Sequence, residues 1–215
     1  NDKISYIPNG IDPELYPKDS TNLNTKNKGN FIAMFFGAHG PANSLETIVE
    51  TAKILKTNGN DDITIKLIGD GTCKNQLINL SKEYKLKNIE FLNRLPKTEL
   101  FKKANEADCF IFNLKHMQVL EKYGISPNKL YDYLMMKKPV IFACKSYNNP
   151  IEEAKAGISI EPHNPEMMAK ALINLRKSDN NNLKEMGNNG YQWVIKNHNF
   201  ETLSKKLEHQ LYKLI

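Results

Sequence analysis

Residues 123–133 read YGISPNKLYDY and run on into LMMKKP. Ser126 is the type of residue that caps a helix and Pro127 the type that opens one, so the spacing predicts a helix over 127–137 with Asn128 and Lys129 in its first turn. Lys129 is out of place there, because a first-turn lysine opposes the helix dipole by about 0.3–1 kcal/mol. A bound diphosphate would reverse that sign, since helix N–H groups and an ammonium attract the same anion. Asp132 follows on nearly the same face, where a carboxylate could accept both hydroxyls of a ribose. The competing reading is a surface Lys129–Asp132 ion pair worth under ~1 kcal/mol. Local choices that break a rule tend to mark functional sites, which favours anion binding.

Two further loops could carry chemistry. GAHGPANS (37–44) follows the apolar run FIAMFF. Gly37 and Gly40 would let backbone approach a ligand, and the helix that starts next could face a phosphate. The spacing is neither a P-loop nor a dinucleotide fingerprint, and a plain tight turn is the alternative. His39 either points into a cleft or packs. GDGT (69–72) reads first as a turn, with Thr72 capping the next helix.

The elements that must position these loops alternate. FIAMFF (31–36), ITIKLIG (63–69), NIEFLN (88–93), CFIFNL (109–114), PVIFAC (139–144) and ISI (158–160) read as strands, several of them buried on both faces. Helical spacing fills the intervals: Leu45 to Leu55, Leu77 to Tyr84, from Thr98, 127–137 and 151–156. Three more helices are expected from about residues 165, 180 and 200. The pattern predicts an α/β protein, a Rossmann-like parallel sheet flanked by helices, with ligands beyond the carboxyl ends of the strands. The polar, Asn-rich stretch 18–29 reads as a loop.

Composition excludes several classes. The chain has 215 residues, 40% of them hydrophobic and 25% charged, which suits one large domain with a substantial core. No apolar run approaches the ~20 residues that cross a bilayer, and NDKISYIPNG has no signal-peptide pattern. The first residue is not Met, so a piece of a longer protein is expected. Cys73, Cys109 and Cys144 lie far apart, as do the five histidines, and no metal site is read from them. A formal net charge of +6 fits an anionic partner or a lysine-rich solvated surface. The basic, amphipathic SKKLEHQLYK near the C-terminus could lie against another domain or a membrane surface, or pack on its own sheet.

YIPNGID, GAHGPANSLETIVETA, LIGDGT, IEFLNRLPKTEL, ADCFI and SPNKLYDYLMMKKPVI occur in the order and spacing seen in family 4 glycosyltransferases, and the chain resembles the second half of such an enzyme. The resemblance implies a retaining, GT-B type transferase, built from two Rossmann-like domains with the active cleft between them. Residues 1–215 would be its C-terminal nucleotide-sugar-binding domain, with the acceptor-binding N-terminal domain missing. GAHGPANS and YGISPNKLYDY look like bacterial enzymes of surface-polysaccharide assembly, similar to N-acetylfucosamine transferases of O-antigen synthesis. The implied partners are a UDP-sugar and the enzyme's own N-terminal domain. The implied location is cytoplasmic, at the inner face of the membrane if the basic C-terminal helix lies there.

The family pattern departs at several positions. Many members carry a Glu where this chain has Gly124 and a second Glu where it has Asp132. Glu121 is nearby but out of register. The diphosphate-binding Arg and Lys of the first loop are Ala38 and Asn43 here, which leaves more of that role to Lys129 and helix N-termini. The nucleobase would meet Arg94 and Leu95. No cofactor or metal is implied, because basic groups and backbone dipoles offset charge on the leaving diphosphate. The catalytic polar loop and histidine would come from the N-terminal domain, so no catalytic residue is assigned in this chain. Two other readings are a UDP-sugar 2-epimerase half and a basic nucleic-acid-binding module. The spread of charge, with no basic face interleaved with aromatics, argues against nucleic acid.

Overall fold

FIAMFF forms the centre of the sheet. In the computed structural model, which describes residues 5–17 and 29–213, β1 (Phe31–Phe36) lies between β2 (Ile63–Ile68) and β4 (Cys109–Asn113). With β3 (Ile89–Leu92), β5 (Val140–Ala143) and β6 (Gly157–Ile160), the sheet order is β3-β2-β1-β4-β5-β6, and every pairing is parallel. The two-residue period of a strand explains why β1, β4 and β5 are apolar without alternation. Ala33, Phe35, Cys109, Ile111, Ile141 and Ala143 face one core. Met34, Phe36, Phe110, Phe112, Val140 and Phe142 face the other.

Helices cover both faces. α1 (Glu46–Thr57), α2 (Lys74–Glu83) and α7 (Pro165–Lys177) bury Ile48, Leu77 and Leu172 in the first core. α3 (Lys97–Ala104), α5 (Asn128–Met135), α6 (Pro150–Ala154) and α8 (Asn180–His198) bury Phe101, Leu134, Ile151 and Val194 in the second. α4 (Gln118–Tyr123) and α9 (Phe200–Tyr212) complete the set. α4 was not anticipated from sequence, because it buries none of its residues and so has no apolar period. Residues 18–28, most of the expected polar loop, lie outside the described residues.

The leading segment does not join the sheet. Ile11 donates to His198 O and accepts from Phe200 N, forming an isolated bridge with Asn199 at the junction of α8 and α9. Asp12 then caps a short 3-10 turn, Pro13–Leu15, by accepting from Glu14 N at 3.0 Å.

The strand order reverses between β1 and β4. These two strands pair only through Ala33–Cys109 and Met34–Phe110, and then separate toward their carboxyl ends. Tyr133 of α5 stands in the gap. Its hydroxyl donates to Phe36 O at 2.9 Å and accepts from Phe36 N at 3.2 Å, doing for β1 what a neighbouring strand would do. Such a reversal point is where doubly wound sheets form a ligand crevice.

Candidate functional site

α5 begins one residue later than expected. Pro127 is the N-cap, in extended conformation, and no side chain caps the helix. Ser126, the expected cap, is taken by the leading segment: its hydroxyl accepts from Asn9 N at 3.2 Å and pairs with the Tyr131 hydroxyl at 3.1 Å, while its carbonyl accepts from Asn9 Nδ2 at 2.8 Å. The front of α5 is therefore a helix N-terminus without a side-chain acceptor.

Lys129 occupies that first turn and turns inward. Its ammonium donates to Asn43 Oδ1 and lies over the rings of Phe35 and Phe112, 4.8 and 5.0 Å from their centroids. Burial pulls its pKa down to about 8, opposed weakly by Cys144. Asn43 Oδ1 is its one hydrogen-bond acceptor among the described residues, so two of its three donors have no protein partner. The Lys129–Asp132 ion pair does not form. Asp132 instead accepts from the Tyr16 hydroxyl and sits 3.6 Å from Lys97 Nζ.

The loops after β1 and β2 close together behind this lysine. Asn43 Nδ2 donates to Ala38 O at 2.7 Å, and Asn43 O accepts from the buried Asn113 amide at 2.8 Å, which fixes the 37–44 turn. Gly37 N donates to Ile68 O, and His39 N to Asp70 O. Gly69 makes this contact possible: its φ is +149°, and a Cβ there would stand 1.9 Å from Gly37 O. A Cβ on Gly37 would lie 3.5 Å from Lys129 Cδ, so the two coil-to-helix junctions singled out in the sequence converge on one spot.

His39 packs and does not face the cleft. It is fully buried beside Phe35, and among the described residues neither ring nitrogen has a partner. Burial, reinforced by the Lys74 charge and opposed by Asp70, lowers its pKa and keeps the ring neutral. Gly40 starts the short turn Pro41–Asn43, and nothing in its surroundings requires glycine. Thr72 does not cap α2. Cys73 precedes the helix, its N–H bound to His39 O, and no side chain caps it. Lys74 turns under the sheet end and donates to the carbonyls of Gly69 and Leu92 and to Asn93 Oδ1.

A cleft of about 760 Å³ opens over the carboxyl ends of β1, β2 and β3. Gly37, Ala38 and Asp70 form one side, Arg94 to Lys97 with Leu100 the other, and Asp132 one end. Of the residues expected from sequence, Gly37, Arg94, Leu95 and Asp132 line it. Asn43 and Lys129 sit together behind Gly37. His39, Gly40, Ser126, Pro127 and Asn128 are not among its lining residues. Asp70, Lys97 and Tyr16 were not anticipated as site residues. Asp70 stood in the GDGT turn and Lys97 just after Arg94, but nothing near Tyr16 in sequence connects it to Asp132.

The half of the sheet beyond Lys129 carries a second polar group. Glu121 holds the His116 imidazole and, at 3.3 Å, Lys145 Nζ, and the His116 contact comes first among the causes that lower its pKa. Gly124, at φ +78°, has no room for a side chain, because a Cβ would meet Asn148 Oδ1 at 2.4 Å. Asn148 fills the space that a side chain at 124 would enter and clamps Ile125 N and O.

The parallel sheet, its order reversing between β1 and β4, and the cleft over the carboxyl ends of its strands define a doubly wound α/β domain. The profile of the glycosyl transferases group 1 family matches residues 18–193, and the chain belongs to that family. Its fold is that of GT-B glycosyltransferase C-terminal domains. None of the curated proteins is significantly similar to it in sequence. Among solved structures, it is similar to HepE from Anabaena in complex with UDP and glucose: TM-score 0.73, 16% identity, 97% of this chain and 56% of that one. A glycosyltransferase from Rickettsia africae gives TM-score 0.74 and 19% identity, over 99% of this chain and 58% of that one. The C-terminal domain of LpcC, a group 1 glycosyltransferase of Francisella tularensis, gives TM-score 0.66 and 19% identity, over 89% of this chain and all of that one. The chain spans just over half the length of the first two.

Proposed function

We propose that this chain is the donor-binding domain of a retaining glycosyltransferase that moves a sugar from a UDP-sugar to a polysaccharide or lipid-linked acceptor. The observation that carries the reading is Lys129: a buried ammonium with no carboxylate beside it among the described residues, at an uncapped helix N-terminus, next to a cleft of nucleotide size. A diphosphate placed between the 37–44 turn and α5 would receive Lys129 and the free N–H groups of the helix. The ribose would then reach Asp132, and the base would lie along Arg94 and Leu95. Charge that develops on the departing UDP is offset by these fixed groups, which supply the electrostatic part of catalysis. The sugar would extend toward Glu121, His116 and Lys145. HepE, solved with UDP and glucose, supports UDP as the nucleotide.

The reactive groups and the acceptor site belong to an N-terminal domain of the same enzyme in this reading, and the protein works in the cytoplasm. α9 leaves Phe200, Leu207, Leu211 and Tyr212 exposed among lysines, a surface suited to the inner face of a membrane. Among the described residues no helix is long and apolar enough to cross one.

Titration with UDP, GDP, ADP and pyrophosphate tests the assignment. Asp132→Ala should weaken UDP about tenfold, the loss of a charge-assisted hydrogen bond, and leave pyrophosphate nearly unchanged. Equal losses for both would contradict it.

A further inference from the structure

Asp132 does not stand free at the end of the cleft. Both of its contacts fall on Oδ1: the Tyr16 hydroxyl donates to it, and Lys97 Nζ lies 3.6 Å away. Among the described residues Oδ2 has no partner, and the side chain is 17% exposed, on the cleft.

Tyr16 is built to hold that oxygen. Its side chain is buried, with the ring 4.6 Å from that of Phe101. Its backbone closes the Asp12-capped turn, and the bridge of Ile11 to Asn199 anchors the segment from the other side. Burial and the Asp132 charge push the phenol pKa far up, so the hydroxyl remains a donor across the working range. Lys97 completes the cover, its ammonium over the Tyr16 and Phe101 rings at 5.6 and 5.4 Å.

We propose that Tyr16 is a positioning residue for ribose recognition: by occupying Oδ1 it fixes the Asp132 carboxylate so that Oδ2 alone faces the hydroxyls of a bound ribonucleotide. This rests on the reading of Asp132 given above. A lone carboxylate can rotate between its lysine and the ligand, and its preference for a ribose hydroxyl is spread over those orientations. One pinned by a buried phenol presents one acceptor in one direction, so the hydroxyl is read before the ligand arrives.

The test is calorimetric titration of the 215-residue chain with UDP, 2′,3′-dideoxy-UDP and pyrophosphate. Tyr16→Phe keeps the ring on Phe101 and removes only the hydroxyl. It should weaken UDP about five- to twentyfold and change dideoxy-UDP and pyrophosphate by less than about twofold, so that preference for the ribose collapses. Asp12→Ala loosens the turn that carries Tyr16 without touching the cleft and should give the same signature at smaller amplitude. Equal weakening of UDP and dideoxy-UDP by Tyr16→Phe would reduce Tyr16 to a structural prop and overturn the proposal. Tighter UDP binding would overturn it too, by showing that the phenol competes with ribose. If Asp132→Ala abolishes the UDP preference and Tyr16→Phe leaves it intact, the inference fails and the Asp132 assignment stands. If Asp132→Ala leaves the preference intact, both fall.

Discussion

A buried ammonium without a carboxylate beside it resists protonation, and Lys129 titrates near 8 for that reason. Below that pH the charge is present and an anion finds its partner. Above it the free protein has lost the proton, and binding a diphosphate must take one up. Affinity for UDP should therefore hold up to about pH 8 and then fall, by up to about tenfold per unit, until the bound-state pKa is reached. Lys129→Met should bind more weakly at neutral pH and show a flat profile; an unchanged slope in that variant would remove Lys129 from the site. This residue was legible in the sequence because it breaks a local rule. Asp132 was legible by its spacing from Lys129. Tyr16 was not, since it meets Asp132 across 116 residues and nothing local signals the pairing. Ser126 misled for a related reason: a capping residue was claimed by Asn9, from the far end of the chain.

At the level of elements, the separation of β1 from β4 is the feature that makes room for α5. Phe36 sits where the strands have parted, and its N–H and C=O depend on one phenol. Tyr133→Phe leaves both groups buried and unpaired, which should lower stability by about 2–4 kcal/mol, measured by urea unfolding. A loss under about 0.5 kcal/mol would mean that water replaces the hydroxyl. The central strands β1, β4 and β5 were readable because each run is apolar at both phases of its two-residue period, as a sheet covered on both faces demands. Short elements were less so. The six residues of α4 bury nothing, and the start of α2 is set by Cys73 N reaching His39 O, not by Thr72. Gly69 was visible as a turn residue, but its closeness to Gly37 needed the two loops in space.

At the scale of the molecule, the parallel order follows from strand–helix alternation, and the stretches GAHGPANS, GDGT and IEFLNRLPKTEL supply the loops that line the cleft over β1, β2 and β3. The chain corresponds to just over half of HepE. The proposed division of labour places binding here and turnover elsewhere. The isolated chain should bind UDP, yet release no UDP from a UDP-sugar and transfer no sugar to any acceptor at ordinary enzyme concentration. Detectable transfer would place catalytic groups in this domain and overturn the division.

The stitch between Ile11 and Asn199 has a mechanical consequence. It makes a pivot of two distant parts of the backbone, and with the Asn9–Ser126 bonds it shares a load on the leading segment between the start of α5 and the junction of α8 and α9. Tyr16 lies one short turn beyond that pivot. A pull on the leading segment would therefore reach the phenol that holds Asp132, at the acidic end of the cleft.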